Sequence, residues 1–258
     1  MAETIKNLLN LQKEDLETFD YFKDVELTED DVNQALFEAR QKKYFNNKII
    51  DYKKKLSEEL EYPTFAPKDL YQKIHDNGFI VDESNKQIIW NLCRYFSGDP
   101  NGPYNIRKGI MLYGPVGCYK TSLMRFFANN QNSSFVIHSV NDVSAQFTKE
   151  GHDAILKYKG LIQSTDTFRT FGQKDIGICF DDFGTEIDKK HYGNESNVMA
   201  EIILSRFMSH QNLIGKTHFT TNIKADVISE RYGERVKSRL REMVNIVAFP
   251  DESLDRRK

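Results

Sequence analysis

Apolar and polar positions along the chain recur in two rhythms, and the places where the rhythm changes mark its organisation. From Thr28 the rhythm is helical: Val32, Leu36, Ala39, Tyr44, Ile49, Tyr52 and Leu56 recur at helical spacing, with no Gly or Pro before about Leu60. Thr28-Glu-Asp-Asp31 opens this stretch as a capping box with Asp where Glu or Gln is usual, so one long helix is expected. Glu61–Pro67 holds two prolines and no period, and reads as a linker. Residues 1–66 are therefore taken as an N-terminal helical, partner-binding region with its linker, and 67–258 as the main domain. Two more helices are expected, at 67–76, stopped by Asn77-Gly78, and at 83–96, with Ile88, Ile89, Leu92 and Tyr95 on one face.

Beyond the Gly-, Pro- and Asn-rich loop at 98–105 the rhythm becomes short apolar runs alternating with amphipathic stretches. The runs predict strands at 109–113, 134–140, 176–181, 217–221 and 245–249; helices are expected at 120–130, 142–149, 151–165, 195–213 and 226–242. Short apolar strands that alternate with helices imply a parallel sheet covered on both faces.

Composition narrows the class. With 258 residues, 39% of them hydrophobic, and a net charge of −2, the chain suits one sizeable α/β domain with a smaller appendage. No apolar run approaches the ~18 residues of a membrane span. The start, Met-Ala-Glu-Thr-Ile-Lys, lacks a signal-peptide pattern, so a cytoplasmic protein with no membrane partner is expected. Cys93, Cys118 and Cys179 form no C-x-x-C pair, which argues against a disulfide framework or a cysteine zinc site and for a reducing compartment. The histidines show no ligand spacing. Charge is local: 1–38 is acidic, 40–55 is basic with Tyr44, Phe45 and Tyr52 interleaved, and 231–241 gathers Arg231, Arg235, Lys237, Arg239 and Arg241. The basic stretch at 40–55 reads equally as a solvated helical face or as a contact for a partner or single-stranded nucleic acid.

Residues 109–122 carry the chemistry. Gly-Ile-Met-Leu-Tyr-Gly-Pro-Val-Gly-Cys-Tyr-Lys-Thr-Ser is an apolar strand running into a glycine turn that ends in Lys-Thr, close to the phosphate-loop pattern G-x-x-x-x-G-K-[ST]. In such a loop, here Gly114, Pro115, Val116, Gly117, Cys118, Tyr119, Lys120, Thr121 and Ser122, backbone N–H groups cradle phosphates at a helix N-terminus. Lys120 would reach the β/γ-phosphates and the Thr121 hydroxyl would hold Mg²⁺. Tyr119 stands where the second glycine belongs, a position that calls for positive φ or close approach to the ligand, so strain is expected there. Alone, the run is also compatible with an ordinary strand–turn–helix connection.

About sixty residues on, Ile176-Gly-Ile-Cys-Phe-Asp-Asp-Phe-Gly184 ends an apolar strand in two carboxylates. Asp181 is the candidate Mg²⁺ ligand and Asp182 the candidate carboxylate for the attacking water; an Asp-rich turn is the plain alternative. Asp182-Phe183-Gly184 also spells a kinase signature, but the kinase catalytic loop and strand lysine are absent upstream. Thr220-Thr-Asn222 places a polar side chain at another strand's C-terminal end, where ligands of such sheets lie; Asn222 could instead cap the next helix. Arg231, Arg235 and Arg239 share one face if the helix runs through Gly233, and face either surface carboxylates or a phosphate.

In order and spacing these pieces resemble the AAA+ ATPases of the DnaC/DnaI helicase-loader and IstB transposition-helper group, over about residues 78–250. The resemblance implies an α/β P-loop NTPase with a five-stranded parallel sheet between helices, a small N-terminal helical region and no lid domain. It implies ATP and Mg²⁺ as cofactors and a homo-oligomeric ring or spiral. It also implies contact with single- or double-stranded DNA, and a replicative helicase or a transposase as partner. Carried over by position, Lys120 and Thr121 bind nucleotide and Mg²⁺, Asp181 binds Mg²⁺, Asp182 is catalytic and Asn222 is the first sensor. Arg239 is the leading arginine finger, with Arg235 second, and Arg256 or Arg257 is a candidate second sensor. The functional expectation is an ATPase that loads a helicase on DNA. The alternatives are a transposition helper, or a nucleotide-binding scaffold with weak turnover, which Tyr119 favours.

Overall fold

The computed structural model describes residues 28–41, 43–44, 64–167, 169–186, 189–191, 194–209, 213 and 215–256. The chain divides into two compact units, 1–61 and 62–258. In the first, residues 29–41 are helical. The Thr28 hydroxyl accepts from the Asp31 N–H at 3.2 Å, and the Asp31 carboxylate accepts from the Thr28 N–H at 3.0 Å. The expected capping box therefore forms, with the shorter acid reaching back. Most of the remainder of the expected long helix, with Phe45 and Tyr52 of the basic stretch and most of the linker, lies outside the described residues, as does Arg257.

The second unit opens with two helices, α1 (Pro67–Asp76) and α2 (Lys86–Phe96). Proline at the first turn of α1 and the Asp69 carboxylate, which accepts from the Ala66 N–H at 2.9 Å, start it; Gly78 at φ 76° ends it. Next come β1 (Gly109–Tyr113), α3 (Lys120–Phe127), β2 (Phe135–Ser139), α4 (Val140–Glu150) and α5 (His152–Lys159). They are followed by β3 (Ile162–Gln163), β4 (Asp175–Asp181), a hairpin of β5 (Lys189–His191) and β6 (Asn194–Ser196), and α6 (Val198–Met208). β7 (Thr217–Thr221), α7 (Ala225–Met243) and β8 (Val244–Ala248) complete the unit.

Five strands pair in parallel in the order β2-β4-β7-β1-β8, and β3 adds a short antiparallel pairing to β4. All five expected strands are present within a residue or two of their expected limits. The expected helix at 151–165 stops at Lys159, because Ile162 and Gln163 pair with Ile176 and Asp175 instead. The hairpin β5–β6 takes the start of the helix expected at 195–213, which runs from Val198.

Register sorts the core into two layers. Ile110, Leu112 and Cys179 point to one face with α1, α2 and α3. Met111, Ile178, Phe180 and Phe219 point to the other, with α4 to α7. Each fully buried Ile, Leu or Phe contributes roughly 1.5–3 kcal/mol by leaving water. Two polar side chains brace this core. The fully buried Arg206 donates to the carbonyls of Tyr158, Gly160 and Lys216 and to the Thr217 hydroxyl, so it closes the carbonyl end of α5 against β7. Burial pushes its pKa down to about 10. His218 accepts from the Ile110 N–H at 3.0 Å through Nδ1, and burial holds its pKa down at about 3, so the ring is neutral. The sheet thus aligns the C-terminal ends of β1, β4 and β7 on one edge.

Candidate functional site

At that edge the chain leaves β1, turns through 114–119 and enters α3 at Lys120. Tyr119, the residue before the helix, sits at φ 72°, the left-handed conformation expected of the missing glycine. Its ring meets Phe79 edge-on at 5.1 Å, and its hydroxyl accepts from the Ile80 N–H at 3.5 Å. Gly117 is at φ 85°, and a Cβ there would lie 2.1 Å from the Asp255 carboxylate; only glycine admits the C-terminal segment so close. The Arg256 N–H donates to the Gly117 carbonyl at 3.0 Å.

Lys120 is buried, and its ammonium donates to the carbonyls of Gly114 and Pro115 at 2.8 and 2.7 Å. Cys118 packs into the core, and burial pushes its thiol pKa up against the pull of Lys120, so it serves the loop by packing. The Thr121 hydroxyl donates to Asp181 Oδ1 at 2.7 Å, and the Thr220 hydroxyl reaches the same oxygen at 2.5 Å. Thr220 also accepts from the Asp182 N–H at 2.9 Å, so β7 holds the Asp181 carboxylate and the Asp182 backbone at the end of β4.

Asp182 adopts φ 57°, a conformation Asp tolerates better than most residues. Its pKa is raised, first by burial and then by the charge of Asp181, with Lys120 opposing. Val116, Gly117, Tyr119, Lys120, Thr121, Ser122, Asp182, Asn222 and Arg256 surround one cavity of about 470 Å³. Gly114, Pro115 and Cys118 form the loop behind them. Asn222 is not a cap: α7 starts at Ala225 with Lys224 at its N-cap.

Arg235 and Arg239 do not line the cavity. α7 is broken at Gly233 (φ 85°, ψ 158°), so Arg231 does not share a face with the other two. Arg231 donates to the Glu186 carbonyl and lies 3.9 Å from the Glu186 carboxylate, which also accepts from the Tyr232 hydroxyl. Arg239 donates to Glu242 at 2.7 Å and lies over Phe207 at 4.3 Å. Arg235 is exposed, with no ion pair among the described residues.

The site's less legible part is a tether across its rim. Arg256, 6% exposed, donates to Asp82 at 2.5 Å and to Ser84 at 3.0 Å, and its buried Nε has no hydrogen-bond partner among the described residues. Asp82 is held at about 2, first by its hydrogen bond from Ser84 and then by Arg256. Nothing local signals this pairing, since 174 positions separate the partners.

The donor set fits Mg²⁺. A hydroxyl and a carboxylate are hard oxygen ligands, and Mg²⁺ takes few protein ligands, filling its shell with phosphate and water. Among the described residues no three His, Cys, Asp or Glu gather as a metal set of their own.

The strand–loop–Lys-Thr–helix and the paired carboxylates at the end of β4 thus meet at one edge of a parallel sheet that lies between helices, an α/β fold. No family model and no curated protein matches the sequence. Among solved structures, the chain is similar to the DnaC helicase loader, at 20% identity and a TM-score of 0.46, covering 68% of this chain and 95% of that one. It is similar to DnaI at 18% identity and a TM-score of 0.45, covering 72% and 96%. It is also similar to AMPPCP-bound DnaA from Aquifex aeolicus, at 16% identity and a TM-score of 0.45, covering 69% of this chain and 50% of that one. No helix among the described residues is long and apolar enough to cross a membrane.

Proposed function

We propose that this chain binds and hydrolyses ATP, and couples that cycle to self-assembly on DNA and to the loading of a replicative helicase. The observation that carries the nucleotide reading is the 2.7 Å bond between Thr121 and Asp181, beside the buried Lys120 and across the same cavity from Asp182. Residues 60 positions apart meet there in the arrangement a triphosphate and its metal need.

In this reading the loop N–H groups and the α3 N-terminus hold the phosphates, and the Lys120 ammonium exchanges its loop carbonyls for phosphate oxygens. Mg²⁺, held through Thr121 and Asp181, neutralises charge on the phosphates when bound. Asp182 orients the lytic water and accepts its proton as the water oxygen bonds to the terminal phosphorus and the bridging P–O bond breaks. Burial raises the basicity of its carboxylate for that task. Asn222 steadies the water or the terminal phosphate. An arginine from a second copy supplies the remaining positive charge.

The low-turnover scaffold is a second reading, favoured by Tyr119 at φ 72° on the cavity wall. One experiment separates the two: ATPase rate with and without DNA, beside mass measurement in ADP and in ATP. The expected result is DNA-stimulated hydrolysis, a larger assembly in ATP, and a rate ~10²-fold or more lower in Asp182→Asn, with ATP binding kept. Asn also tolerates left-handed backbone, so that variant tests the carboxylate rather than the turn. Equal rates in the variant and the parent would remove Asp182 from the mechanism.

A further inference from the structure

A second cavity, of about 420 Å³, opens at the far end of α3 from the phosphate loop. Its walls are aromatic: Phe65, Phe126 and Phe171 line it above the buried Phe96 and Phe127. Phe65 and Phe171 meet edge to face at 6.2 Å. The neighbouring amides are already engaged. Asn130 donates to the carbonyls of Phe127 and Ser133, and Gln131 holds both backbone groups of Phe65.

Besides the exposed amide of Asn129, the remaining polar groups on the lining are cations. Lys73 stands 3.4 Å over the Phe65 ring, and Arg169 sits on the lining, 3.5 Å from the exposed Asp166. Among the described residues no carboxylate lines the cavity. Independently, Phe171 is held at φ 53°, a conformation that a bulky side chain avoids. Such backbone persists where the surrounding structure over-determines it, as at ligand clamps.

We infer that this cavity is a second ligand site, separate from the phosphate loop, for a nucleotide unit: a flat base against the phenylalanine walls and a phosphate at Lys73 and Arg169. The volume lies within the range of small-ligand pockets. Aromatic faces accept any base, and two cations with no opposing carboxylate on the lining select an anion. The unit has two possible sources, a free nucleoside monophosphate or one residue of a single strand. The site goes beyond the ATPase reading and does not depend on it.

The test uses the full chain with Lys120→Ala, which silences the phosphate loop, and two fluorescein-labelled probes: an oligothymidylate and AMP. Phe171→Gly removes the ring where glycine suits the backbone, so the fold survives and the melting temperature stays level or rises. Lys73→Glu reverses the charge on an exposed side chain. The parent binds at least one probe, and each variant weakens that binding about tenfold or more. Loss confined to the oligothymidylate assigns a strand, and loss with AMP a free nucleotide. Binding of neither probe by the parent, or full affinity in both variants, overturns the inference. Either result is independent of whether the Lys120-intact chain hydrolyses ATP.

Discussion

Tyr119 decides how the loop at 114–119 is held. Left-handed backbone costs a side chain such as this ~1–2 kcal/mol. The edge contact with Phe79, worth ~0.5–1.5 kcal/mol, offsets most of that, and the hydroxyl bond from Ile80 adds to it. These contacts fasten the loop to the segment before α2, and a glycine at 119 would make neither of them. Tyr119→Gly is expected to raise ATPase activity while changing stability by no more than ~1 kcal/mol, since lost strain and lost packing nearly cancel. An unchanged or lower rate, read against the melting curve, would show that the tyrosine does not restrain the loop.

At the scale of elements, the break in α7 sorts its arginines. Without Gly233 at φ 85° the helix would carry Arg231, Arg235 and Arg239 in one row. With it, Arg231 turns to Glu186, Arg239 is occupied by Glu242 and Phe207, and Arg235 is left facing solvent. An arginine that serves a neighbouring copy has to be free in the isolated chain, so the geometry favours Arg235 over Arg239 for that role. Arg235→Ala is expected to keep ATP binding by the monomer and to lower assembly-dependent hydrolysis ~10³-fold or more. Arg239→Ala is expected to retain most of that hydrolysis. Loss of nucleotide binding in monomeric Arg235→Ala, or equal losses in the two variants, would rule out a trans role for Arg235.

Over the whole molecule, the sequence is most legible where burial is two-sided. Runs such as Ile110–Leu112 and Ile176–Phe180 are buried on both faces, so their strands stand out. The phosphate loop and the Asp181-Asp182 pair were legible for another reason: each is a contiguous motif whose chemistry demands its residue types. Less visible were features decided by distant partners. β3 forms because Ile162 finds Ile176, and α5 closes on Arg206 from another helix. The hairpin β5–β6 has no apolar alternation to announce it, being Lys189-Lys-His191 against Asn194-Glu-Ser196. The rim tether joins Asp82 to Arg256 from opposite ends of the domain, and the second cavity is assembled from four separate segments.

All of this turns on whether the cavity at the edge of β1, β4 and β7 takes a magnesium nucleotide. Titration with labelled ATP, with and without Mg²⁺, on the wild type, Lys120→Ala and Asp181→Asn tests it most directly. Uptake below millimolar ATP is predicted for the wild type, loss of uptake for Lys120→Ala, and loss of the Mg²⁺ dependence for Asp181→Asn. No uptake by the wild type at millimolar ATP, or equal uptake by Lys120→Ala, would contradict the assignment.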